Sequence, residues 1–445
     1  MHDLFFRHPF MSSVGVAALR AECVVRALCQ VELALAEAEE AEGILPAGTA
    51  EALAEVVRPE AFDLEALAED VGKGGNVAIP FVKQAKAMLP EPLRQAFHRG
   101  ATSQDIVDTA LMLLLKPRLE SCQSHLARLR HVQGDLMRRY RDTPMIGRTL
   151  MQQALPITFG VKVAQWAWGL CQAEHRLQTV IDTGLYVQFG GAVGVHSGLD
   201  ASGMRVMGNL AQILGLVEPV LPWHTDRQPI LALMGAVDAV AVAVEKTALD
   251  IALLCQSEFG ELSEPAEPGV GGSSSMPHKR NPVACARIRA AARQIHGHHG
   301  VILNAGAQPL ERGLGEWHAE WAPLLDSVLS LEGALESMVP LLDGLEVHEE
   351  MMTRNLRLSG GAIMAEPAMR LLSRIMDSGK AQDLAHRASE KARHECRDYA
   401  ETLLEFSEVA GRLDADAVRA ALAIDLYTGS SGTQVDRLLS RLSYD

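Results

Sequence analysis

ILALMGAVDAVAVAVEKTALDIALLCQSE, residues 230–258, is apolar on nearly every face. Strands usually end within about ten residues, so a segment of this length reads as helix. A helix that is apolar all round must be enclosed, by lipid or by other protein. Lipid does not fit: Asp238, Glu245, Lys246 and Asp250 interrupt the segment, and no run of eighteen apolar residues in the chain escapes a charge. The segment therefore predicts a helix in the middle of a bundle or of an oligomer.

The flanking sequence agrees. Helical spacing continues over about 283–308 and 321–344 on one side, and over about 160–182 on the other. A longer helix is expected after Ser103, running to about Arg141 with Pro117 as a kink. Near the start, Leu28, Val31, Leu35 and Ala38 recur at three- and four-residue steps within 14–42, and Gly43 with Pro46 just beyond marks the stop. The last hundred residues carry shorter, more charged helices separated by Ser359-Gly360-Gly361 and Thr428-Gly429-Ser430. Of the 445 residues 48% are hydrophobic but only 4% aromatic, a balance that favours packed helices over sheets. The expected fold is all-α, in three regions: an N-terminal helical domain over 1–100, a central long-helix bundle over 101–345 and a C-terminal helical domain over 346–445.

Bulk properties exclude several functions. A net charge of −15 argues against nucleic acid as a partner. An anionic ligand is still possible if a few Arg and Lys converge on one pocket. Leu4, Phe5 and Phe6 are followed at once by Arg7 and His8, too short an apolar stretch for a signal peptide. Seven cysteines, at 23, 29, 122, 171, 255, 285 and 396, have no CxxC spacing and read as reduced thiols, mostly core, of a cytoplasmic protein. No membrane partner is expected.

Between two long helices lies FGELSEPAEPGVGGSSSMPHKRNP, residues 259–282. Loops of this length inside compact domains are uncommon and usually functional. Its glycines let the backbone approach a ligand; Ser273, Ser274 and Ser275 supply hydroxyls, and Lys279 a positive charge that could stabilise an alkoxide. Such composition more often makes a flexible linker. The rigid, charged MPHKRNP that follows is poor linker material.

This loop resembles the signature GSSxMPxKxNP of the fumarase/aspartase superfamily. Two further segments are similar in the same order: His98-Arg-Gly-Ala-Thr-Ser-Gln-Asp-Ile-Val-Asp108 to the first block of that family, and Arg148-Thr-Leu-Met-Gln-Gln-Ala-Leu-Pro-Ile-Thr-Phe-Gly160 to the second. The resemblance spans about residues 1–400. It implies an all-helical homotetramer with sites shared between subunits, a small polycarboxylate substrate, and elimination or addition at the carbon next to a carboxylate. No metal or cofactor is implied. Residue by residue, Ser273 matches the catalytic base and Lys279 the cation that stabilises the carbanion. His98, Thr102, Ser103, Arg148, Thr149, Gln152 and Asn281 match substrate-binding positions, and Arg227 and Arg312 are candidate carboxylate clamps.

Two departures narrow the chemistry. Many lyases of the superfamily carry a His where this chain has Leu150; in adenylosuccinate lyase that His protonates the departing amine. The loop is usually followed by a Glu where this chain has Ala286. Loss of the acid would be ruinous for amine expulsion, because proton transfer is worth roughly 10²–10⁴-fold. A carboxylate leaving group, with a pKa of about 4, needs no proton. Opening and closing a lactone has that property. Gly75-Asn-Val-Ala-Ile-Pro80, the QQALP of the second block and Glu311-Arg-Gly-Leu-Gly-Glu-Trp-His-Ala-Glu-Trp321 are also similar to the cycloisomerase branch. The competing readings are a C–N lyase of the adenylosuccinate lyase type and a silent structural oligomer.

Other polar clusters have simpler explanations. His98 is open between ligand contact and a structural hydrogen bond, and His278 and His318 have no assignable role. Trp317 and Trp321 fit core as well as pocket wall. His296, His298 and His299 match no zinc spacing, and no carboxylate in the sequence pattern completes them. Glu37, Glu39, Glu40 and Glu42 read as a solvated helix end. Finally, the first block ends near Asp105 and the second begins near Arg148, with about 36 helical residues between. That separates them by roughly 50 Å at 1.5 Å per residue, too far for one pocket within one chain.

Overall fold

Helical periodicity becomes helix almost everywhere in the computed structural model, which describes residues 10–266, 276, 279–395 and 397–442. The chain opens with α1 (Ser13–Ala18), α2 (Ala21–Ala41), α3 (Thr49–Val56), α4 (Leu64–Gly74), α5 (Ala78–Met88) and α6 (Glu91–Ala96). The long α7 (Ser103–Arg139) follows, with Pro117 inside it. Then come a hairpin of β1 (Pro144–Thr149) and β2 (Gln152–Thr158), and the helices α8 (Phe159–Thr183), α9 (Ser202–Leu214) and α10 (Gln228–Leu254). A two-residue strand β3 (Leu262–Ser263) precedes α11 (Val283–Ala305) and α12 (Glu316–Asp343), and pairs with β4 (Glu346–Val347). Six shorter helices follow among the described residues: α13 (Glu349–Arg357), α14 (Ala365–Leu372), α15 (Ser378–Glu395), α16 (Tyr399–Leu404), α17 (Ala415–Ala421) and α18 (Ser431–Leu439). The all-α expectation holds, and the four strands among the described residues are short.

Two compact units are built from interleaved segments. The first comprises Met1–Ala127, Gln172–Glu245 and Arg287–Met338; the second comprises Arg128–Cys171, Lys246–Ala286 and Val339–Asp445. In the first, the apolar stripe of α2 (Leu28, Val31, Leu35, Ala38) is sealed by Val206, Met207, Leu210 and Ala211 of α9 and by Phe81 and Phe97. In the second, Leu372, Ala381, Leu384, Ala388 and Tyr399 form a core of the short C-terminal helices.

Two local expectations change, and one element is new. The helix expected over 14–42 breaks at Leu19 and Arg20, where the backbone turns extended before α2. A Cβ on Gly15 would meet Leu329 Cδ2 at 2.5 Å, so α1 is seated directly on α12 and cannot continue in line with α2. The acidic end of α2 is solvated only at Glu37: Glu39 is fully buried, Glu40 accepts from the Ala50 N–H, and Glu42 binds Arg205 and Asn209. The second block, to which the sequence pattern assigned no element, forms the β1–β2 hairpin. Its register pairs Thr149 with Gln152, which leaves Leu150 and Met151 as a two-residue turn. Both have positive φ, 49° and 65°, the backbone of a type I′ turn, which normally selects Asn-Gly.

Candidate active site

In the first unit, the first block sits at the N-terminus of α7. The carboxylate of Asp105 is fully buried. Its Oδ2 accepts from the backbone N–H groups of Thr102 (2.9 Å) and Gly191 (2.9 Å), and its Oδ1 lies 2.6 Å from His224 Nε2. Gly191 is required there: its φ is +71°, and a Cβ would stand 2.8 Å from the Gly100 carbonyl oxygen. With its backbone so held, Thr102 offers its hydroxyl oxygen to Arg312 Nη1 at 3.1 Å. Among the described residues no carboxylate pairs with Arg312. Burial pulls this guanidinium below its ordinary value, with Asp105 and Asp108 acting against that. A half-buried, unpaired guanidinium beside a hydroxyl is a ready carboxylate receptor.

Arg227 is different. It is buried, and its donors are taken by Asp108 (2.8 and 3.4 Å), Glu320 (2.8 and 3.2 Å) and the Trp223 carbonyl. This corrects the expectation of a substrate clamp, because no N–H remains to meet a ligand. Asp108 also accepts from Trp317 Nε1 at 2.8 Å and from Gln104, and Gln308 donates to Glu320. Arg227 is the hub of a buried network. Trp317 packs with Ala78 and Val107 as core, and His318 stands exposed against Trp317 and Trp321. His98 makes the structural bond that was one of its two readings, 2.6 Å from Glu32 Oε1. Burial works against its charged form, but Glu32 outweighs that and the ring ends above its usual value.

The histidines of α11 also need correction. Carboxylates do reach them, from α10: His296 lies between Asp238 and Glu245, and His299 Nδ1 is 3.0 Å from Asp238. His298 instead faces Ser327 at 3.1 Å. Among the described residues, no group of His, Cys, Asp and Glu could hold a metal ion.

In the second unit, the hairpin is tied down by Arg148. Its two terminal nitrogens bind Glu261 at 3.0 and 2.7 Å, and its guanidinium lies over the Phe259 ring at 4.5 Å. Glu261 is fully buried and also accepts from Asn355 at 2.8 Å. Arg148 therefore anchors the second block to the start of the third, while Thr149 and Gln152 are exposed beside the turn. The turn residues face solvent, Leu150 at 97% and Met151 at 65% exposure.

The third block is held at both ends. Glu264 accepts from the N–H groups of Ala284 (3.0 Å) and Cys285 (2.8 Å), capping the first turn of α11. Arg280 binds Glu346 through two 2.9 Å bonds and donates to the Glu264 carbonyl. Lys279 is exposed, its N–H donating to the Met276 carbonyl, and Asn281 is half-buried. Ser273, Ser274, Ser275 and His278 lie outside the described residues. The structure thus joins Thr102 to Arg312 in one unit, while Arg148, Thr149, Gln152, Lys279 and Asn281 belong to the other. Sequence reasoning missed Asp105, His224, Glu261 and Glu264. Asp105 was visible inside the first block, but the other three had no spacing signal.

A family model described as "Lyase" matches residues 9–297. The chain is 38% identical to a 3-carboxy-cis,cis-muconate cycloisomerase of Bradyrhizobium diazoefficiens over 98% of both chains. It is also 38% identical to a nitrosuccinate lyase of Streptomyces davaonensis, covering 95% of this chain and 91% of that one. The crystal structure of a 3-carboxy-cis,cis-muconate lactonizing enzyme from Pseudomonas putida superposes with a TM-score of 0.91, at 33% identity and 98% coverage of both.

Proposed function

The chain belongs to the lyase family and, with it, to the fumarase/aspartase superfamily, and from that premise we propose that it interconverts 3-carboxy-cis,cis-muconate and 4-carboxymuconolactone. The observation that carries this reading is the tip of the second-block hairpin. Where amine-expelling members present an acid, this chain presents Leu150 and Met151, exposed and without a titratable group. A site with no acid there suits a leaving group that departs as a stable anion. The lactone carboxylate is one. The likeness to the cycloisomerases and to the lactonizing enzyme supports the same substrate.

In the opening direction, Ser273 takes the proton from the carbon next to a carboxylate. The resulting aci-carboxylate is stabilised by Lys279, and the electron pair returns to expel the ring oxygen as a carboxylate. Closing reverses each step. Arg312 and Thr102 receive one carboxylate of the substrate, with Ser103, Thr149, Gln152 and Asn281 completing its polar contacts. Arg148 acts by holding the hairpin. The site is shared between subunits of a homotetramer. Helix α7, of 37 residues, rises roughly 55 Å, and Val242, Val301 and Leu303 leave apolar surface exposed on α10 and α11 for partners to cover. Partition at about residues 100 and 345, with the middle region as the bundle, belongs to the same proposal. No helix among the described residues is long and apolar enough to cross a membrane. Cys23, Cys29, Cys122, Cys255 and Cys285 are free thiols, as suits a cytoplasmic setting.

The same acid-free tip favours one second reading, elimination from nitrosuccinate, because that relative is as similar as the cycloisomerase. One experiment separates the readings. Purified protein dialysed against a chelator is given 3-carboxy-cis,cis-muconate, nitrosuccinate and adenylosuccinate in parallel. Consumption of the muconate with formation of the lactone is the expected result. Turnover of either other substrate without it overturns the proposal.

A further inference from the structure

Asp105 lies too deep to touch a substrate, yet three groups of the first unit bond it and a fourth is tied to it at one remove. Its Oδ2 takes the Thr102 and Gly191 N–H groups, both at 2.9 Å, and its Oδ1 faces His224 Nε2 at 2.6 Å. Asp105 and His224 are 0% and 4% exposed in their side chains. A carboxylate accepts only, so His224 must carry its proton on Nε2 to bond it. The fourth group is reached indirectly, through the Thr102 hydroxyl that binds Arg312. His224 is itself held: its carbonyl accepts from Gln104 at 2.8 Å, and Gln104 also donates to Asp108.

We infer that Asp105 and His224 form a positioning dyad that sets the angle at which Arg312, through Thr102, meets a substrate carboxylate. Guanidinium–carboxylate recognition is directional, because the forked N–H groups must lie in the plane of the carboxylate. Arg312 has one protein anchor that the structure describes, the Thr102 oxygen. The backbone of Thr102 is pinned in turn by Asp105, on a segment that enters α7 only at Ser103. If His224 stops donating, the Asp105 carboxylate keeps only its two Oδ2 bonds and can turn about them, so the Thr102 anchor shifts. The dyad therefore acts on binding geometry and takes no part in proton transfer at the reacting carbon.

The inference rests on the proposed muconate chemistry, and a double-mutant cycle tests the two separately. His224→Gln keeps an N–H donor where Nε2 stands, and His224→Leu removes it. The Leu variant is expected to raise KM at least tenfold with kcat changed less than threefold and the pH profile of kcat unmoved; the Gln variant recovers most of the loss. In an Arg312→Met background, which has already lost the clamp, His224→Leu adds less than a twofold penalty. Circular dichroism and sizing confirm that each variant is folded. If His224→Leu does not fold, Asp105→Asn takes its place in the cycle with Arg312→Met. Fully additive penalties, or a loss confined to kcat, in an active wild type would overturn the dyad alone. A wild type inactive on the muconate overturns the substrate reading, and the dyad with it.

Discussion

Glu39 lies on α2 with both carboxylate oxygens buried and without a hydrogen-bond partner among the described residues. Burial pushes it up to about 8, with Arg99 opposing and Glu32 adding to the shift. The sign follows from proton counting. Below about 4.5 the group is protonated whether the chain is folded or not. Between 4.5 and 8 the unfolded chain has lost a proton that the folded chain keeps, so stability falls as pH rises through that window. Glu39→Gln removes the titration, and urea midpoints of variant and wild type should diverge steadily from about pH 5 to pH 8 in the variant's favour. Parallel curves would show that Glu39 is not a buried neutral acid. Chemistry at the residue scale concerns Ser273, six positions before Lys279. Ser273→Ala is expected to cut kcat by at least about 10²-fold with the fold intact, and near-wild-type rates would move the base to Ser274.

Among the elements, the β1–β2 hairpin is the one at odds with its own sequence. Two L-residues at positive φ cost roughly 1 kcal/mol each, and neither side chain recovers that by burial in the chain. Strain of this kind is kept where it serves a site, so the Leu150–Met151 tip is expected to meet substrate or a neighbouring subunit. Replacing the pair by Asn-Gly should raise the thermal midpoint by a few degrees and lower kcat/KM at least about tenfold. A stabler variant with unchanged turnover would make the tip an ordinary turn. The gains and losses fall on different measurements, so the experiment separates strain from function.

At the scale of the whole molecule, the interleaving of the two units matters most. The first block belongs to one unit and the second and third blocks to the other, although α7 and α10 each contribute to both. Sharing of a site between chains predicts complementation. Inactive Ser273→Ala protein and inactive Thr102→Ala/Ser103→Ala protein, unfolded together and refolded as a mixture, should regain a fraction of wild-type activity, because some sites then hold an intact copy of each block. Mixed oligomers that form and stay as inactive as their parents would rule the shared site out.

Local sequence determined the helices, because burial of an apolar stripe has a period that a few turns already display: α7, α8 and α10 begin and end within a few residues of where spacing places them. Loop composition and the absence of an acid at Leu150 are likewise properties of the chain itself, and they single out those segments as candidates without any fold. Only the tertiary structure decided what each charge does. Thr102 and Arg312 are 210 residues apart and meet across one hydrogen bond, while Arg227, of the same type and equally suited on paper to a carboxylate, is consumed by Asp108 and Glu320. The hairpin was hidden for the same reason: Leu-Met has no propensity for a type I′ turn, and the pairing of its strands and the Arg148–Glu261 bond hold it there. A residue's type limits which bonds it can make. Which partner it finds depends on burial and on distances that no local pattern encodes.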